Sequence, residues 1–181
     1  MARIGLKNFR YSLLDNNEEV IEPKSLGKAI DCKVSLELNS AELYADDALA
    51  ESDYTFNKGT VTITVDDDDD TVLAPLLGHT ISEEGEIVRK DTDVAPYIAF
   101  GRILTKVVSG TYKYKVEFLS KVKFKDTMPD EATKGESVEF TTVSIEGSVM
   151  RKSNGEWSKS KTFTTYAEAS TYLDSLLTAS A

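Results

Sequence analysis

Residues Ile30–Leu38 read Ile-Asp-Cys-Lys-Val-Ser-Leu-Glu-Leu, and residues Gly59–Val65 read Gly-Thr-Val-Thr-Ile-Thr-Val. In the first, Ile30, Cys32, Val34, Leu36 and Leu38 share one side, with Asp31, Lys33, Ser35 and Glu37 on the other. In the second, Val61, Ile63 and Val65 oppose Thr60, Thr62 and Thr64. Period-two alternation is the signature of a strand with one buried face. One apolar face per strand means an antiparallel sheet solvated on one side. Between the two stretches lies Asn39–Asn57, NSAELYADDALAESDYTFN, acidic and free of Gly and Pro. Connections beyond ~12–15 residues are uncommon in compact domains and usually functional, so this segment is expected to be an extended inter-strand loop with a job.

The same alternation spreads outward. Tyr112, Tyr114, Val116 and Phe118 oppose Lys113, Lys115 and Glu117, and Val122 and Phe124 oppose Lys121, Lys123 and Lys125. Further strands are expected at Phe9–Leu14, Tyr97–Val107, Ser137–Thr142, Val143–Arg151 and Trp157–Phe163, with turns at Ser109-Gly110 and Ser153-Asn154-Gly155-Glu156. Two helices are expected. One spans 71–77 behind the aspartate run, with Gly78 as its C-cap and Pro75 limiting its length. The other spans 165–178, opened by the capping box Thr165-Tyr166-Ala167-Glu168 and carrying the apolar stripe Ala169, Tyr172, Leu173, Leu176 and Leu177. The expected architecture is a mainly β antiparallel sandwich or barrel with a flanking helix, built as a single domain over 1–181.

Composition bounds function. The chain has 181 residues, 40% hydrophobic and 29% charged, enough for one core without disulfide or metal support. There is one cysteine, Cys32, and one histidine, His79, so neither an internal disulfide nor a Cys/His zinc set can be assembled. No apolar run approaches the ~18 residues of a membrane span. The N-terminus lacks the continuous apolar core of a secretion signal, so a cytoplasmic site of synthesis and no membrane anchoring are expected. The net charge of −10 argues against gripping nucleic acid by its phosphates. Acidic residues gather at Glu37, Glu42, Asp46, Asp47, Glu51, Asp53 and Asp66–Asp70, and basic ones at Arg102, Lys106, Lys113, Lys115, Lys121, Lys123 and Lys125. Either these are solvated strand faces, or identical copies meet head to tail through them.

Four features invite a chemical reading. Tyr44-Ala45-Asp46-Asp47 matches the tetrad with which reverse transcriptases hold metal ions, but the chain is too short for a polymerase palm with fingers. Counting twelve residues from Asp66 reaches Leu77 with no Gly between, so the aspartate run is not an EF-hand loop and reads as an acidic turn capping the next helix. His79 follows a helix C-cap, where interaction with the last carbonyls is expected. Cys32, on an apolar strand face, reads as a small core residue. No nucleophile–base set or phosphate-binding loop is present in the sequence, so neither an enzyme nor a cofactor is expected.

Several segments together resemble one family. Ile4-Gly5-Leu6-Lys7-Asn8, Leu43-Tyr44-Ala45-Asp46-Asp47, Leu76-Leu77-Gly78-His79, Val94-Ala95-Pro96-Tyr97, Thr133–Phe140 and Gly155-Glu156-Trp157 occur in the order found in major tail proteins, the tail tube proteins of long-tailed, non-contractile siphovirus-type phages of Gram-positive bacteria. The resemblance spans nearly the whole chain; the five-aspartate run departs from it. It implies a structural virion protein with the tail-tube fold. Six copies would form a ring, and rings would stack into a tube around a tape-measure protein, bounded by tail terminator and distal tail proteins. The genome would pass through without specific binding. The resemblance also maps the ring-to-ring loop onto Asn39–Asn57. Leu43, Tyr44 and Leu49 would then anchor it and Asp46 and Asp47 would pair with Lys113, Lys115, Lys121 and Lys123 of a neighbour. The polar positions Asp31, Ser35, Glu37, Thr60, Thr62 and Thr64 become candidates for the lumen, where carboxylates would repel DNA. The alternative is a non-enzymatic β-sandwich binding or adhesion module presenting Tyr112, Tyr114 and Trp157.

Overall fold

A computed structural model describes residues 2–45, 48–66, 69–126 and 142–179. In chain order the elements are β1 (Ala2–Leu13), β2 (Lys24–Ser25), β3 (Ala29–Ala45), β4 (Ala48–Val65), α1 (Asp70–Leu77), β5 (Thr80–Ile81), β6 (Ile87–Val88), β7 (Ile98–Val108), β8 (Thr111–Phe124), β9 (Val143–Met150), β10 (Ser158–Phe163) and α2 (Tyr166–Leu177). All pairings are antiparallel, in the order β2-β1-β7-β8-β9-β4-β3, with β10 added to β8 and β5–β6 a separate small hairpin. The mainly β antiparallel architecture with two helices is as expected. The sheet does not close into a barrel, because its end strands β2 and β3 do not pair with each other. Of the expected strand Ser137–Thr142, only Thr142 lies within the described residues, and it is not in a strand.

β8 turns the single sheet into two layers. On β7 the partners Ile98 and Phe100 are two apart, but on β8 they meet Val122 and Leu119, three apart. The extra residue is a bulge, which reverses the alternation of everything beyond it. Before the bulge, β8 pairs with β10 (Phe163↔Tyr114 to Ser158↔Leu119); after it, with β9 (Lys121↔Met150 to Phe124↔Gly147). A strand that changes partners at a bulge makes the corner of a sandwich. Ser120, fully buried at this corner, donates its amide to Trp157 O (2.9 Å) and its hydroxyl to Glu156 Oε1 (2.8 Å).

Two apolar clusters follow from the switch. The larger fills the space between the layers with Phe9, Tyr11, Leu26, Val61, Ile63, Ile98, Phe100, Leu119, Val122, Phe124, Ile145 and Val149, and α1 closes it with Leu73 and Leu76. The smaller lies on the other side of β7 and β8, where Ala99, Ile103, Val116 and Phe118 meet Ala169, Leu173 and Leu177 of α2. Each fully buried large side chain contributes about 1.5–3 kcal/mol. Both helices are built as their caps foretold. Asp69 accepts from Thr71 N at the start of α1, and Gly78, in the left-handed region at φ 84°, ends it. Thr165 and Glu168 form the capping box of α2. Ser109 (φ 49°) and Gly110 (φ 78°) make the tight β7–β8 turn, a pairing that primed hairpin turns require.

Candidate functional site

The segment expected as a loop is a ribbon. β9 stops pairing with β4 at Gly59↔Val149, whereas β3 and β4 stay paired outward from Leu36↔Gly59 to Ala45↔Ala48. At about 3.3 Å per residue the ribbon reaches roughly 30 Å beyond the sandwich. Nothing in Asn39–Asn57 breaks a strand, since no Gly or Pro interrupts it. Its start is marked by a bulge where Glu37↔Lys58 is followed by Leu38↔Phe56, leaving Asn57 extra. Phe56 stacks flat on Trp157 of the β9–β10 connection, with centroids 4.5 Å apart and planes 3° from parallel, which fixes the ribbon's base. Further out, Leu38 and Tyr54 are more than half exposed. The register sets Tyr44 opposite Leu49 and Leu43 opposite Glu51. Asp46 and Asp47 lie outside the described residues.

The six lumen candidates share one face. Asp31↔Thr64 and Ser35↔Thr60 are cross-strand partners, Thr62 faces Lys33, and Glu37 faces Lys58. β9 extends this face with Ser144, Glu146 and Ser148 opposite Thr64, Thr62 and Thr60. The Thr64 and Ser144 hydroxyls are hydrogen-bonded at 2.8 Å. The face is less acidic than the carboxylate-lined path anticipated. Lys58 lies 3.3 Å from Glu37, Lys125 lies 2.6 Å from Glu146, and Lys123 stands opposite Ser148. Its charges are largely matched internally, and hydroxyls occupy the middle.

The β8 bulge divides the four lysines proposed as partners. Lys121 and Lys123 flank the Tyr97 ring at 4.4 and 5.2 Å, and Lys121 also binds Glu18. Glu18 accepts in addition from the amide (2.7 Å) and hydroxyl (2.9 Å) of Ser153, so the β1–β2 turn is tied to the β9–β10 turn. Hydrogen bonds from Lys121 and then Ser153 hold the Glu18 carboxyl down at about 2. Lys113 and Lys115 fall on the other side of the switch, opposite Lys106 and Leu104. In the sequence all four lysines fall on odd positions, with Glu117 and Leu119 between the two pairs; the fold puts the pairs on different sides.

Lys115 borders a groove of about 320 Å³ between β3 and β10, floored by Phe100, Arg102, Glu117 and Leu119 and walled by Leu36 and Trp157. Arg102 is nearly buried and donates to Glu117 at 2.7 and 3.2 Å and to Cys32 O at 3.1 Å. Lys115 Nζ takes the other Glu117 oxygen at 2.7 Å. Burial pushes the Glu117 carboxyl up, but hydrogen bonds from Lys115 and Arg102 outweigh it and hold it below its usual range. Cys32 packs half-buried against the main core, and burial raises its thiol. In the sequence Arg102 reads only as one of a group of basic residues, although a signal of its buried pairing was there: it interrupts the apolar positions Ile98, Phe100 and Leu104 with a charge.

The other chemical candidates have structural partners. His79 donates its backbone N–H to Ala74 O at 2.8 Å, but its ring lies between two carboxylates, with Nδ1 2.9 Å from Asp93 and Nε2 3.1 Å from Asp126. The ring therefore joins the end of α1, the 90–93 turn and the end of β8 rather than capping helix carbonyls. Asp66 binds the amide and ammonium of Lys28 at 3.0 and 3.1 Å. Of the aromatics foreseen on a binding face, Tyr112 is exposed, Tyr114 packs edge-on against Tyr166, and Trp157 is committed to Phe56. Compared with protein-family models the chain matches none, and no curated protein is significantly similar to it.

Proposed function

We propose that this chain is a structural subunit that assembles with copies of itself into stacked rings, hexameric by its resemblance to tail tube proteins, forming the conduit of a phage tail. The observation that carries the reading is the β3–β4 ribbon. A two-stranded hairpin is marginal in water without further packing, and among the described residues no third strand covers either of its edges beyond Gly59. An arm of that length with exposed Leu38 and Tyr54 is suited to docking on another molecule. A projecting arm meeting a different surface makes a head-to-tail contact, which propagates into rings or filaments. The hydroxyl-rich, charge-matched face on β3, β4 and β9 supports the conduit role, since it offers a polyanion neither a basic track nor an apolar hold. The chain's own function in this reading is mechanical rather than catalytic.

Electron microscopy of the purified protein at high concentration tests this, with rings or filaments of uniform width as the expected outcome. Deleting Ala41–Ser52 is expected to leave a folded protein, by circular dichroism, that forms no such particles. A binding-module reading has one observation in its favour, a shallow hollow of about 290 Å³ lined by Ile4, Thr105, Tyr112 and Tyr114. It predicts a monomer or dimer, with no rings or filaments, at every concentration.

A further inference from the structure

We infer that the groove between β3 and β10 is the socket for the β3–β4 ribbon of a second copy, which adds to the open edge of β10. The inference rests on the assembly reading above and names the surface that receives the arm. Three consecutive residues, Ser158, Lys159 and Ser160, line the groove. Consecutive residues of a strand point to opposite faces, so the groove is bordered by the strand's edge and not by one face of it. That edge has no strand partner among the described residues, since β10 pairs only with β8. An open edge beside a slot is the geometry of strand addition, in which main-chain hydrogen bonds supply affinity and flanking side chains supply specificity.

Charge selects the occupant. The groove carries Arg102, Lys115 and Lys159 against Glu117 alone, and Glu117 is already held by Arg102 and Lys115. An acidic segment is therefore favoured. Between Asn39 and Asn57 the chain has Glu42, Asp46, Asp47, Glu51 and Asp53 and no Lys or Arg. The groove's apolar walls, Leu36, Phe100, Leu119 and Trp157, suit the exposed Leu38 and Tyr54 of the same ribbon. A chain cannot fill its own groove. Leu36 lines the groove and is also where the ribbon begins, and the continuous pairing out to Ala45↔Ala48 carries the tip away from it. The contact is made between copies.

Charge reversal tests the socket. Lys159→Glu on the groove and Asp53→Lys on the ribbon are each expected to raise the concentration needed for assembly by about tenfold or more. The two together in one chain are expected to recover it. Lys159 also lies 3.1 Å from Glu156, so Lys159→Gln controls for loss of that bridge and is expected to give a smaller effect than Lys159→Glu. A second readout is disulfide trapping in a Cys32→Ser background. Ser160→Cys with Ser52→Cys is expected to give intermolecular ladders on oxidation, and either substitution alone none. If folded Lys159→Glu assembles like the native chain, or assembled particles of the double-cysteine variant give no ladder, the socket is wrong while the tube reading stands. A disulfide-linked dimer from Ser160→Cys alone would mean that two β10 edges pair with each other, which also overturns it. If the native chain stays monomeric at every concentration, the tube reading fails and the socket with it.

Discussion

Arg102 is a cation at a position that the alternation of β7 reserves for the core, and it is tolerated because each of its three guanidinium nitrogens donates a hydrogen bond. Glu117 takes two of them and the carbonyl of Cys32 a third. Removing the counter-charge is costlier than removing the pair. Glu117→Gln is expected to lower unfolding stability by about 2 kcal/mol, measured by urea denaturation, whereas Arg102→Met with Glu117→Gln is expected to recover much of it. Glu18 is a surface counterpart. Its carboxyl is held near 2, below the ordinary 4.5, by Lys121 and Ser153. A depressed folded-state value contributes stability above the unfolded value, which is lost as pH falls towards 2. Glu18→Gln should therefore melt below the native chain at pH 7, and the two melting temperatures should converge by pH 2. A gap of equal size at both pH values would mean that Glu18 acts through packing and not charge.

At the scale of elements, α2 is held where β7 has no side chain. A Cβ on Gly101 would stand 2.2 Å from Leu173 Cδ1, so Gly101→Ala is expected to cost about 1–3 kcal/mol through displacement of the helix, read as a lowered denaturation midpoint. Gly110→Ala, a turn glycine with nothing near it but φ 78°, separates backbone strain from this clash. Both helices and the β7–β8 hairpin turn were legible in the sequence because caps and turns are local chemistry, carried by Asp69, Gly78, Thr165, Glu168 and Ser109-Gly110; the turn expected at Ser153–Glu156 is present, but β9 and β10 on either side of it pair with β8 and not with each other. The ribbon was legible as an anomaly but not as strands. With no core beneath it, neither side of Asn39–Asn57 needs to be consistently apolar, so the periodicity that identifies strands is absent there. The β8 bulge was hidden for the opposite reason. Lysines at 113, 115, 121, 123 and 125 keep to odd positions on both sides of Glu117 and Leu119, so parity alone assigns them one side where the backbone changes sides. The groove inherits that difficulty, since Lys115 comes to face β3 only because of the switch.

At the scale of the molecule, the proposed docking of acidic ribbon in basic groove would make assembly an electrostatic matter, because exposed charge pairs are screened when the Debye length falls from ~10 Å at 0.1 M salt to ~3 Å at 1 M. Light scattering at the two salt concentrations is expected to show slower assembly at the higher one; faster assembly would assign the contact to apolar burial through Leu38 and Tyr54 instead. The continuity of β3 and β4 from core into ribbon has a mechanical consequence. The arm has no hinge of loop residues at its root, and Phe56 on Trp157 braces it there. A pull on its tip runs along the strand axis, so the pairs from Gly59↔Val149 to Val65↔Val143 resist sliding together instead of unzipping one at a time. In the proposed assembly the ribbon would be a tension member spliced into the sandwich, and a chain of such splices would carry axial load through backbone hydrogen bonds from one subunit to the next.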